Sequence, residues 1–298
     1  MLLFNQTDYP PDAHDEILCR LLPRLPSLRA LHSALTTSKV LNVVESIKLD
    51  TLSLMVLTRP VSPLVPLRRL DLVYGVSLSD DDVRKVHDSI VASASTLEHL
   101  DVGLLSREGQ AALQDVFFPS SSDTPLSLPR LHTLYIRAPS LDPSFFTRLA
   151  IAAPKIHTLN VPMDDIEDPV KLDVPPGSFP NLARLEFGLP PQADGSSTGV
   201  EMLVKGNKHL RLLTLHLSAS DSLAVVEAAS ESVGLTQLLV SKSSTALLRQ
   251  IGLSLPNVVN LDFEDIHPAT SNTGGEREFE YVSSIRPIDG PRSVYRPC

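Results

Sequence analysis

The chain reads Leu128-Pro129-Arg130-Leu131-His132-Thr133-Leu134-Tyr135-Ile136 and, 25 residues on, Ala153-Pro154-Lys155-Ile156-His157-Thr158-Leu159-Asn160-Val161. Both stretches have one design: an apolar-Pro-polar joint, then apolar-x-x-Leu-x-apolar. The six-residue phrase recurs at Leu67/Leu70/Leu72, Leu97/Leu100/Val102, Leu182/Leu185/Phe187, Leu212/Leu215/Leu217, Leu235/Leu238/Val240 and Val258/Leu261/Phe263, with an earlier copy at Leu49/Leu52/Leu54. Phrase starts from 67 to 258 lie 23 to 34 residues apart. The last two apolar positions of each phrase are two residues apart, which places both side chains on one face of a strand.

Composition points the same way. The 298 residues include 50 Leu and 25 Pro and no Trp. Proline breaks helix interiors at about 3 kcal/mol, so one long coiled coil is excluded and many short elements are expected. With 42% hydrophobic residues, the chain can bury a core. A formal net charge of −9 argues against a nucleic-acid backbone partner. Two cysteines, Cys19 and Cys298, allow no disulfide framework beyond one bridge. No apolar run approaches the roughly 18 residues of a membrane span, and Met1–Phe4 leads into Asn5, Gln6 and Asp8 rather than a signal-peptide core. An intracellular, cytoplasmic or nuclear, protein with no membrane or nucleic-acid partner is expected.

Helix starts punctuate the phrases. Ser79 precedes Asp80, Asp81 and Asp82, whose carboxylates suit the positive end of a helix, with Val83, Val86 and Ile90 on one face. Asp142-Pro143 opens a second, carrying Phe146 and Leu149. Ser220 precedes Leu223, Val226 and Ala229, with Gly234 as a stop, and Ser244 precedes Leu247, Leu248 and Ile251.

Strand, turn, helix and return, repeated over residues 49–268, resembles the leucine-rich-repeat family. The resemblance implies an α/β solenoid with parallel strands on a concave face and helices on the convex one, stacking supplying what single repeats lack. The Asn or Cys that the family places three residues after each phrase is missing; Gly75, Leu105, Pro139, Asp164, Pro190, Ser220, Ser243 and Ile266 stand there. Residues between the phrase's apolar positions would face the concave surface. The family's mode of action implies an unidentified protein target held there, on Asp71, Asp101, Tyr135, Arg137, Asn160, Glu186, His216 and Asp262.

The stretch 9–48 differs. Asp12 can cap a helix carrying Asp15 and Glu16 in its first turn, with Ile17, Leu18, Leu21 and Leu22 on one side and Pro23 at its end. A second helix is expected from Ser27 through Leu28, Leu31 and Leu35, and a third over Val40, Leu41, Val43 and Val44. Pro10-Pro11-Asp12, His14-Asp15, Ile17-Leu18, Leu28 and Ser38-Lys39 resemble a fungal F-box. That resemblance implies docking on a Skp-type adaptor of a cullin ubiquitin ligase through Pro10, Ile17, Leu18, Leu21, Leu22 and Leu28. The chain would then be a non-enzymatic substrate receptor. Alternatively, Leu25-Pro26-Ser27-Leu28-Arg29-Ala30-Leu31 repeats the downstream joint and phrase, which makes 9–48 an N-terminal cap on a stand-alone scaffold.

No catalytic constellation emerges. Gly195-Ser196-Ser197-Thr198-Gly199 matches the nucleophile pattern of serine hydrolases but follows Pro190-Pro191 rather than a strand, so a small-residue loop is expected. His132 and His157 occupy equivalent repeat positions, with Glu98 one repeat earlier; a row of strand-start residues does not converge as zinc requires. Asp164–Asp168 lacks the spacing and glycine of a calcium loop. No metal or cofactor is expected, and residues 269–298 read as an aperiodic C-terminal cap or tail.

Overall fold

A computed structural model describes residues 2–4, 11–33, 38–57, 59–61, 66–74, 78–104, 113–119, 126–137, 142–161, 172–188 and 198–263. Two strands precede the main repeats, β1 (Leu2–Phe4) and β2 (Ala30–Ser33). They are followed by β3 (Thr51–Leu57), β4 (Arg69–Tyr74), β5 (His99–Leu104), β6 (Thr133–Arg137), β7 (Thr158–Val161), β8 (Arg184–Gly188), β9 (Leu212–His216), β10 (Gln237–Val240) and β11 (Asn260–Phe263). Among the described residues, all eleven lie in one sheet in chain order, each parallel to the next.

Parallel neighbours need a crossover, and among the described residues helices lie in eight of the ten, those after β3 and β7 excepted. α1 (Pro11–Leu21) and α2 (Ser38–Val44) serve the first rungs, followed by α3 (Asp80–Ser93), α4 (Leu113–Phe117), α5 (Phe145–Ala152), α6 (Glu201–Val204), α7 (Ala219–Ala228) and α8 (Thr245–Ser254). Their apolar sides (Val86 and Ile90, Phe145 and Leu149, Leu247 and Ile251) join the strand leucines in one continuous core, so the sheet buries a single face. Phe117, Phe145, Phe146 and Phe187 fill its middle with ring centroids 5.3–5.8 Å apart.

Four details depart from the sequence reading. The helix expected from Ser27 is strand β2 instead, with Leu31 buried and Ala30 and His32 half-exposed. Its backbone pairs with β1 on one side and β3 on the other, and that tertiary pairing overrides a helical period set by three leucines. Second, the phrase at β9 is Leu210/Leu213/Leu215, because Leu213 aligns with Leu185 and Leu238. A two-residue slip preserves the face but shifts the row. Third, α7 is capped by Ser218, whose Oγ accepts the Asp221 amide at 3.1 Å, two residues before the expected Ser220. Ser79 and Ser244 cap as expected. Fourth, Asp142 sits two residues further out, its Oδ1 accepting the Ser144 amide at 2.8 Å ahead of α5.

Three asparagines brace the joints between repeats. Asn181 donates to Pro154 O (3.1 Å), buried Asn207 to Leu182 O (2.9 Å), and Asn257 to Val233 O (2.9 Å). Each therefore ties its joint, ahead of a strand, to the preceding repeat.

One further row follows from the ladder. The carbonyls of Arg29, Asp50, Arg68, Glu98, His132, His157, Ala183, Arg211 and Thr236 each accept two amides from the next repeat, aligning these residues along the edge where the strands begin. Their side chains repeat at the strand spacing of about 4.8 Å.

Candidate functional site

The face opposite the helices carries the polar residues. In register along it stand His32, Ser53, Asp71, Asp101, Tyr135, Asn160, Glu186, Thr214, Leu239 and Asp262, one from each strand β2–β11. Six of the eight expected target residues therefore stand in this central row, with Arg137 one row further along on β6. His216 does not share the central row. It pairs with Gly188, one row further along, because of the slip at β9.

The rows join into two networks. On β4–β6, Arg69 donates to Asp71 Oδ2 at 2.9 Å, and His99 Nε2 lies 3.1 Å from Asp71 Oδ1. Arg137 reaches past Gly103 to Asp101 Oδ2 at 3.0 Å; Val73 Cγ1 would stand 3.1 Å from a Cβ at Gly103, so glycine keeps this row low. His99 also packs against the Tyr135 ring, centroids 5.5 Å apart. On β7–β10, Asn160 donates to Glu186 Oε2 at 2.6 Å, while His216 lies 3.9 Å from Glu186 and 2.6 Å from Ser241 Oγ. Asp262 stands apart, exposed on β11.

Adjacent carboxylates Asp71 and Asp101 behave oppositely. Burial alone would raise Asp71, but its hydrogen bonds from His99 and Arg69 outweigh burial and hold it below the usual carboxylate range. Burial pushes Asp101 up to about 6, with Asp71 adding to the rise and Arg137 opposing it. Asp101 Oδ1 is buried without a hydrogen-bond partner. Burial, then Glu186 and Asp101, raise the Tyr135 phenol, and burial with Arg69 lowers His32.

His32 lies on β2, in the segment whose leucine spacing predicts a helix, so its place in this row follows only from the strand pairing. Arg69 and His99 stand two residues before Asp71 and Asp101 on the same face; Arg69 bonds within its own strand, and His99 reaches across about 4.8 Å to Asp71 on β4. Ser53 lies between His32 and Asp71 in the row but bonds to neither, so no nucleophile–base pair forms there.

Of the expected adaptor residues, Leu18, Leu22 and Leu28 are buried in the common core. Ile17 is 50% exposed, Leu21 is half-buried, and Pro10 lies outside the described residues. Ser197, Asp164–Asp168 and residues 269–298 also lie outside them. Gly199, at φ +79° and with a would-be Cβ 2.5 Å from Leu172 O, answers to a tight turn. The His132 and His157 rings stand 5.3 Å apart while Glu98 is held by Arg68 at 2.8 Å. Among the described residues no three His, Cys, Asp or Glu converge as metal ligands, and no helix is long and apolar enough to cross a membrane. No protein-family model and no curated protein matches the chain.

Proposed function

We propose that this chain is a non-enzymatic recognition protein of the leucine-rich-repeat type that holds a protein partner on the polar face of its sheet. The observation that carries the reading is Tyr135: half-exposed, in register between Asp101 and Asn160, and framed by fixed ion pairs on β4–β6. An aromatic with few rotamers, held beside an arginine that is already oriented, has little entropy to lose on binding. The charges around it favour a partner of mixed polarity over a strongly basic or acidic one. A photo-crosslinking residue at Tyr135 is expected to capture one discrete partner in cells, with capture lost in Arg137→Glu. The same probe at Ile151, 81% exposed on helix α5, is the control. Equal capture at both positions would refute the reading.

The stand-alone scaffold is the form these observations support, because β1 and β2 pair within the sheet and Leu18 of α1 and Leu31 of β2 are buried in the common core. One observation favours a ubiquitin-ligase receptor as a second reading: Ile17 is exposed on α1 with Leu21 half-buried one turn on. If that helix holds a Skp-type adaptor, purified adaptor is retained by the wild-type chain and released by Ile17→Asp with folding intact. No retention by folded wild type leaves the scaffold.

A further inference from the structure

A cleft opens at the strand-start edge between β7 and β10, with a volume near 490 Å³. Its cause is a single small residue. In the edge row, His157, Ala183 and Arg211 succeed one another, so the methyl of Ala183 leaves a gap between two long side chains about 10 Å apart. Lys208 and His209 project from the joint ahead of β9, and exposed Val233 forms an apolar wall.

The joint that carries the two basic residues is fixed. Asn207, 1% exposed, donates to Leu182 O and Phe179 O, accepts the His209 amide at 2.9 Å, and receives the Ser232 hydroxyl on its own carbonyl. The cleft is therefore held open by buried hydrogen bonds. Its charge is one-sided: no carboxylate lines it, and neither Lys208 nor Arg211 has an ion-pair partner among the described residues. This occurs in a chain of net charge −9, whose earlier edge residues Arg68 and Glu98 neutralise each other at 2.8 Å.

We propose that this cleft is a binding site for a phosphate group. Two permanent cations and two imidazoles around one gap match a multiply charged tetrahedral oxyanion. Arg211 can present a two-pronged donor pair and Lys208 a point charge. The volume exceeds what a bare phosphate needs, so the group that carries the phosphate has room against Val233.

The test is titration of the full-length chain at low ionic strength, followed calorimetrically and by the imidazole resonances of His157 and His209. The probes are inorganic phosphate, a blocked phosphoserine and adenosine monophosphate. All three are expected to saturate one site; the probe that binds tightest identifies the carrier as free phosphate, a phosphorylated side chain or a nucleotide. Arg211→Gln, a change at an exposed residue, is expected to weaken binding at least tenfold, and Ala183→Leu to abolish it by filling the gap. Arg249→Gln, an exposed arginine on α8, should leave it unchanged. Absence of saturable binding, or equal weakening by Arg249→Gln and Arg211→Gln, would overturn the proposal. If Ala183→Leu does not fold, the arginine pair still decides.

Discussion

The two halves of the sheet share a core and differ in what they do with charge. On β4–β6 each arginine of the rows meets an opposite charge in its own or the next strand, Arg69 on Asp71, Arg137 on Asp101 and Arg68 on Glu98, and the His99 ring lies 3.1 Å from Asp71 as well. On β8–β11 the equivalent positions hold Arg184, Leu212, Gln237 and Asn260, then Glu186, Thr214, Leu239 and Asp262. There, neither Arg211 nor Asp262 is in an ion pair among the described residues. Stacked rungs place side chains about 4.8 Å apart whatever they are. Opposite signs in adjacent rungs are spent on folding; unmatched ones stay available to a ligand.

Truncating the core should not distinguish the halves. Leu134→Ala and Leu213→Ala, both fully buried, are each expected to cost about 3 kcal/mol in urea unfolding. Unequal losses would mean that the two halves are not one core. Truncating the face should separate them. Asp71→Ala removes the acceptor of Arg69 and His99 at a side chain 7% exposed and is expected to cost about 2–3 kcal/mol. Asp262→Ala, the same row on an exposed strand, should stay within about 0.5 kcal/mol. A costly Asp262 or a neutral Asp71 would erase the contrast.

Titration sharpens it further. Asp101 holds its proton up to about 6 in the folded chain against an ordinary 3.8, so between those values the native state binds more protons than the unfolded one. Stability therefore falls as pH rises through that window, by no more than about 3 kcal/mol at 1.36 kcal/mol per unit. Asp101→Asn keeps an acceptor for Arg137 and is expected to lose that decline, measured by urea midpoints at pH 4 and 7. Asp71 has the opposite sign: its contribution is present above the ordinary carboxylate value and is lost as pH falls below it. The smallest effect again treats both halves alike. Ser79→Ala and Ser244→Ala each remove an N-cap acceptor and should lower stability by about 1 kcal/mol.

The repeat was legible because aliphatic spacing is a local signal. Leu-x-x-Leu-x-apolar marks the strands, and seven of the eight phrases from residue 67 onward supply consecutive rungs as spaced, the β9 rung starting two residues before its phrase. Leu212 misled because Leu210, Leu212, Leu213, Leu215 and Leu217 offer two registers, and only pairing with β8 and β10 chooses between them. β2 misled for the same reason, since its partners are distant in the chain. The face residues were legible as a row, but their partnerships were not. The second partner of Asp71, His99, is 28 positions away, and the cleft depends on Ala183 being small between two larger neighbours. An absent side chain leaves no motif.

The order of the rungs underlies all of this, and spin-label distances read it directly. With both native cysteines replaced, labels at Thr133/Arg184, Thr133/Gln237 and Thr51/Gln237 span two, four and seven rungs of the sheet. Separations near 10, 19 and at most about 34 Å, rising with rung number, are expected from the strand spacing. A Thr51/Gln237 separation shorter than that of Thr133/Gln237 would contradict a sheet laid down in chain order.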